Sequence, residues 1–149
     1  MSEFIVVDVE GGPVKPSAFA GDGRMGEFGA ILYDAPPFSV AFHGKDDSKE
    51  TMTAFVDWLS RIADGDRVIF VSDNPAYDWQ HMNWALWNRT GGNPFGHSAR
   101  RIGDFWAGKR GDWRETQGWK KYRKTPHDHN PVNDARGNCE AMWAMEIKP

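Results

Sequence analysis

Asp8 and Glu10 stand two residues apart in the run Phe4-Ile5-Val6-Val7-Asp8-Val9-Glu10. In an extended strand, positions i and i+2 share a face, so both carboxylates would lie on one side with Cα atoms roughly 6.5–7 Å apart. Two acids at the end of a core strand repel unless something neutralises them, and a divalent cation does so. Two cations roughly 3.5–4 Å apart would fit between such groups. The same string also fits a frayed strand end with both acids in water. Asp78 comes four residues after Asn74, just past a second apolar run. Alone, it reads as an acid that complements a helix N-terminus.

His129 and Asp134 flank the pair Asn130-Pro131. Histidine is the side chain whose charge ordinarily changes near neutral pH, so a loop histidine can take a proton from an attacking water. A loop histidine bonded to backbone is the plainer reading. His127 makes a His-x-His pair with His129, as a zinc site would use. Hard acids dominate the set, however, and Cys139 is the single cysteine. Oxygen-ligated Mg²⁺ or Mn²⁺ is therefore the expected metal.

The elements that must position these groups follow from apolar pattern and punctuation. Phe4–Glu10 reads as a buried central strand ended by Gly11-Gly12-Pro13. Residues 14–27 read as a Gly-rich connection. Phe28–Tyr33 and Phe38–Phe42 are two short strands of a hairpin. Ser48 is an expected N-cap for a helix carrying Phe55, Trp58, Leu59 and Ile62, stopped at Gly65. Arg67–Ser72 is the second strongly apolar strand, and Asn74-Pro75 opens a Trp-rich helix to about Arg89. Ser98 is expected to open a helix with Ile102, Phe105 and Trp106. Asn130-Pro131 repeats the cap-plus-proline signal before a helix with Ala135, Met142 and Met145 on one side. The expected fold class is α/β, a mixed central sheet flanked by helices.

Composition narrows the function classes. The 149 residues are 40% hydrophobic and 13% aromatic with a net charge of −3, which fits one folded domain over residues 1–149 and excludes a disordered chain. No 18-residue apolar stretch and no basic leader occur, so a cytoplasmic protein without a membrane partner is expected. A lone cysteine excludes an intrachain disulfide. Lys109–Lys124 holds seven bases against two acids, a +5 window on a body of −8. Such a loop can hold a polyanion beside a site that needs carboxylates, or can simply be solvated.

Taken together, four carboxylates and one histidine in this order resemble the DEDDh family of 3′–5′ exonucleases, on an RNase H-like fold. Motif one is Val6-Val7-Asp8-Val9-Glu10, motif two is Ser72-Asp73-Asn74-Pro75-Ala76-Tyr77-Asp78, and motif three is His129-Asn130-Pro131-Val132-Asn133-Asp134-Ala135. Ser72–Trp79, Asn93-Pro94-Phe95-Gly96 and His129–Glu140 look most like a group of short, stand-alone bacterial and phage enzymes of that family. The basic 109–124 segment lies outside the three motifs.

The resemblance implies that Asp8, Glu10, Asp78 and Asp134 hold two Mg²⁺ or Mn²⁺ ions. His129 would be the general base, and single-stranded nucleic acid would be cut from its 3′ end to nucleoside 5′-monophosphates. RNA is the favoured polymer, with DNA as the alternative. A non-catalytic nucleic-acid-binding module of the same fold and a structural metal protein are the competing classes. Among expected substrate contacts, Gly11 and Gly12 let backbone approach the terminal nucleotide, and Asn74 belongs to the same set. Arg100, Arg101, Lys120 and Lys121 would grip phosphates. Trp113 and Trp119 would stack bases, while Trp79, Trp84 and Trp87 would be core. Eight tryptophans also leave apolar surface compatible with a homodimer.

Overall fold

A computed structural model describes residues 1–11 and 25–149; of the connection expected over residues 14–27, residues 14–24 lie outside them, as does Gly12, while residues 25–27 are not connection but the start of a strand. The strands are β1 (Ser2–Gly11), β2 (Met25–Leu32), β3 (Ala41–Gly44), β4 (Arg67–Ser72) and β5 (Ala99–Arg101). The helices are α1 (Lys49–Ala63), α2 (Pro75–Thr90), α3 (Ile102–Arg110) and α4 (Pro131–Ala144), with a 3-10 helix at Gly118–Tyr122. The sheet runs β3-β2-β1-β4-β5. β2 is antiparallel to both β1 and β3, while β1, β4 and β5 are parallel. This is a mixed five-stranded α/β sheet flanked by helices, consistent with an RNase H-like fold.

Strand alternation divides the core. Ile5, Val7 and Val9 of β1 pack with Phe55 and Leu59 of α1 and Met82, Ala85 and Leu86 of α2 on one face. Val6 packs on the other, with Ile102 and Trp106 of α3, Trp119, and Ala135, Cys139 and Met142 of α4. Asp8 and Glu10 have the parity of Val6, so they belong to the α4 face near the carboxyl end of β1.

Local signals act as expected at several ends. The Ser48 side chain accepts from Thr51 N–H, and α1 ends in left-handed Asp64 followed by Gly65 at φ 91°. The Asn130 side chain accepts from the N–H groups of Val132 and Asn133, with Pro131 in the first turn of α4. Three expectations need correction. Phe38 is not in a strand: it sits at φ 55°, fully buried with its ring stacked on Tyr33 at 5.6 Å, and β3 begins only at Ala41. Ser98 does not open a helix. Residues 99–101 pair with β4 and α3 starts at Ile102, because Phe70, Val71 and Ser72 offer a parallel edge that the isolated sequence does not reveal. Trp87 is 55% exposed on the outer side of α2, whereas Trp79 and Trp84 pack against the core as expected.

Candidate active site

The site sits where β1 ends against the start of α4. Gly29 of β2 pairs directly with Asp8 of β1. A Cβ at Gly29 would collide with the Pro131 carbonyl and the Val132 nitrogen, so the missing side chain lets the first turn of α4 lie against the sheet. That approach brings Asp134 to the β1 acids. One oxygen each of Asp8, Glu10 and Asp134 lie within 4.8 Å of one another.

The electrostatics are strained in the direction a cation would relieve. Burial, then the negative charges of Asp78, Glu10 and Asp134, push the Asp8 carboxyl up to about 9. Burial also raises Glu10, opposed by a hydrogen bond with Asp8 and by the nearby histidines. Asp8 Oδ2 and Asp134 Oδ2 are buried and find no hydrogen-bond partner among the described residues. A buried carboxylate oxygen without a donor is costly. Clustered hard oxygens, two of them unpartnered, fit a divalent cation of the Mg²⁺ or Mn²⁺ class.

Asp78 is beside this set rather than in it. It comes from α2, which covers the opposite face, and reaches the end of the sheet only from its first turn. Its Oδ1 accepts from Val9 N–H at 3.0 Å and its Oδ2 from Asn74 N–H at 3.4 Å. Burial raises its carboxyl to about 7 despite those bonds. Asn74 occupies the expected cap position but makes no side-chain cap bond; the Asp78 carboxylate serves the Asn74 N–H instead.

His129 is 75% exposed and left-handed at φ 61°, with Nδ1 3.8 Å from Glu10 Oε2. His127, set aside on sequence, lies closer to an acid than His129 does, its Nδ1 2.9 Å from Asp134 Oδ1. The same oxygen takes weaker contacts from Arg123 Nη2 at 3.4 Å and Asp128 N–H at 3.3 Å. Arg123 also donates to Asn138 Oδ1 at 3.0 Å and lies flat on α4, where a Cβ at Gly137 would come within 2.8 Å of its Nε. Glu140 accepts from the N–H groups of Lys124 and Thr125 and from the Thr125 hydroxyl. Burial raises its carboxyl, but these donors hold it below its ordinary value. Helix α4 therefore grips the end of the basic segment and the histidine loop.

A cavity of about 410 Å³ opens beside Asp8 and is lined by Asp73, Lys120, Arg123, Lys124, His127 and Asn138, among others. Lys120 pairs with Asp73 at 2.8 Å. Lys121 instead lies over the rings of Trp106 and Tyr122 at 5.3 and 5.1 Å. Arg100 is exposed on β5, and Arg101 pairs with Asp104 of α3. Both sit at the sheet edge, paired with Val71 and Ser72 of β4. Gly11 ends β1 next to the Tyr77 hydroxyl, which a Cβ would meet at 3.1 Å. Trp119 is a correction: it is fully buried, with its indole N–H given to Thr116 O, so it has no free face for a base. Trp113 is 78% exposed. Sequence reasoning missed the structural duties of Asn138 and Glu140, whose only signal was polar residues on the helix that carries Asp134, and of Arg123, which read only as part of the basic segment.

No protein-family model matches the chain. It is similar to a protein of Escherichia coli, being 30% identical over 106 residues that cover 67% of this chain. That protein is named 3′–5′ DNA exonuclease Cap18, and the match spans 57% of its length.

Proposed function

We propose that residues 1–149 act as one metal-dependent 3′–5′ exonuclease domain of the DEDDh type. It would hydrolyse single-stranded nucleic acid to nucleoside 5′-monophosphates. The observation that carries this reading is the meeting of Asp8, Glu10 and Asp134 oxygens within 4.8 Å beside an exposed histidine loop. Similarity to a protein named as a 3′–5′ exonuclease supports the direction of attack.

Asp8, Glu10 and Asp134 would hold the cations, with Asp78, whose charge acts on Asp8, as the fourth carboxylate at their edge. Bound there, two Mg²⁺ or Mn²⁺ ions would supply positive charge against the developing negative charge of an in-line phosphodiester displacement. His129 would take the proton of the attacking water, its exposed ring being free to approach from the loop. His127, Arg123 and the Asp128 N–H hold Asp134 Oδ1 and so fix the orientation of that carboxylate. Lys120 and Lys124 would hold substrate phosphates in the adjoining cavity, and Arg100 and Arg101 would extend that track along the sheet edge. Gly11, Gly12 and Asn74 would approach the terminal nucleotide.

RNA is the polymer the family resemblance favours. The relative's name favours DNA, and that specific observation makes a DNA exonuclease the second reading. The test uses 5′-labelled single-stranded RNA and DNA with Mg²⁺ or Mn²⁺, and EDTA and Asp8→Ala as controls. The expected result is a metal-dependent ladder shortening from the 3′ end and lost in the variant. Cleavage that persists in Asp8→Ala removes the site assignment. Absence of shortening on both polymers, with metal bound, would leave a binding module of the same fold.

A further inference from the structure

We propose that His127, His129 and Asp134 form a second metal site that prefers a borderline cation such as Zn²⁺ over Mg²⁺, and that an ion held there arrests cleavage. The arrest rests on the exonuclease reading; the site does not. One ligand atom from each of the three residues lies within 4.8 Å of the other two. His127 Nδ1 is 2.9 Å from Asp134 Oδ1, and the two imidazole rings meet edge to face with centroids 4.5 Å apart.

The carboxylate the histidines meet is only half satisfied, its Oδ1 facing His127 and its Oδ2 lacking a donor among the described residues. Asp134 itself is 1% exposed. The loop presenting the histidines is tied down at both ends. Glu140 takes the Lys124 and Thr125 N–H groups on one side. Asp128 takes Asn130 N–H and the Asn133 side-chain amide on the other. His129 is held in the left-handed region between them. Both rings are more than half exposed, so they can close onto an ion at the ~2.0–2.1 Å typical of zinc–imidazole bonds.

Chemistry sets the preference. Two imidazole nitrogens and one carboxylate suit Zn²⁺, whereas Mg²⁺ dehydrates reluctantly and takes oxygen ligands. Three protein ligands with an open fourth position make a site that water can complete. Asp134 belongs also to the all-oxygen group of Asp8 and Glu10, so the two sites are joined through one residue. The imidazole nitrogen that binds an ion has no lone pair left for a proton. With its other nitrogen protonated, His129 can then no longer serve as a base.

The test is a titration of the metal-free protein with Zn²⁺ by calorimetry under a large excess of Mg²⁺, with Co²⁺ alone as a visible-absorbance probe. We expect one Zn²⁺ to bind despite the Mg²⁺, and Co²⁺ to give the d–d bands of a nitrogen-containing site. His127→Ala and His129→Ala should each weaken binding at least ~10-fold, while Asp8→Asn should retain it. Thermal melts check that the loop variants keep the fold. Unchanged Zn²⁺ affinity in His127→Ala, or loss confined to Asp8→Asn, overturns the site. In the cleavage assay, Zn²⁺ added over saturating Mg²⁺ should stop shortening of the labelled strand. Histidine-dependent Zn²⁺ binding with cleavage undiminished overturns the arrest. Such binding in a protein that cleaves neither polymer sinks the exonuclease reading and leaves the metal site standing.

Discussion

Gly29 faces Pro131 so closely that a single added Cβ would strike its carbonyl group. Gly29 is also the residue paired with Asp8, so this tight approach of sheet and helix occurs beside the acidic cluster. Gly29→Val should push the start of α4 outward and move Asp134 away from Asp8. Overpacking of this kind costs about 1–3 kcal/mol. A misplacement of about 1 Å can lower a rate about 100-fold. Thermal melts and cleavage rates read the two effects separately. Wild-type activity in Gly29→Val would show that the helix start does not set the site.

The raised carboxyls of Asp8 and Asp78 predict how the metal-free protein answers pH. Folding raises Asp8 from 3.8 to about 9, and Asp78 from 3.8 to about 7. In this window the folded state holds protons that the unfolded chain has released, so stability falls as pH rises. The decline should begin near pH 4, be steepest while both groups contribute, below about 7, and level off above about 9. Asp8→Asn should flatten it and raise the melting temperature near neutrality. Mg²⁺ or Mn²⁺ should raise the wild-type melting temperature with concentration and do so much less in the variant. Melts in EDTA across pH check this; a stability that climbs between pH 5 and 9 would contradict it.

Lys120 and Lys124 line the cavity beside Asp8, and both are exposed. Replacing either with Ala should weaken single-strand binding about equally across sequences. If each contacts one phosphate, the salt slope should fall by about 0.7 per lysine. Fluorescence anisotropy at several salt concentrations, in an inactive background, gives the slope. Lys121→Ala should alter it less, because that ammonium lies over Trp106 and Tyr122. Equal slopes for the wild type and all three variants would detach the basic segment from the substrate.

Trp119 and Trp113 should separate cleanly. Trp119→Ala empties a fully buried site and should cost about 3–5 kcal/mol. Trp113 is exposed, so Trp113→Ala should change stability by less than about 0.5 kcal/mol. If its ring stacks a base, affinity should drop by about 1–3 kcal/mol. Denaturant melts and binding isotherms distinguish the two losses.

What the sequence made legible was whatever local chemistry dictates. Ser48, Asn130-Pro131 and the β1 run announce a cap, a helix start and a core strand with their own atoms, and the observed elements follow them. The parity of Asp8 and Glu10 needed only strand alternation. Strand β5 was invisible because Ala99-Arg100-Arg101 has no apolar pattern, and its form comes from the edge of β4. Trp119 looked like surface because its neighbours are charged, yet α3 and α4 close over it. The carboxylate of Asp78 was read as one of a quartet. Its oxygens accept from the backbone of Val9 and Asn74, contacts that only the meeting of α2 with the sheet could decide. His127 meets Asp134 across the loop, a proximity that donor types alone do not reveal.

The acids that meet at the site are far apart along the chain: Asp8 and Glu10 arrive with β1, and Asp134 only with α4. Synthesis proceeds from the amino end, and a domain generally closes as a unit. A ribosome-bound chain that has reached only the 3-10 helix therefore has its basic segment but lacks both the general-base candidate and the third carboxylate of the cluster. The order of the elements thus acts as a timer. The nascent polypeptide carries its basic segment before its acidic cluster exists, and the cluster is complete only when α4 has left the ribosome and docked on the sheet.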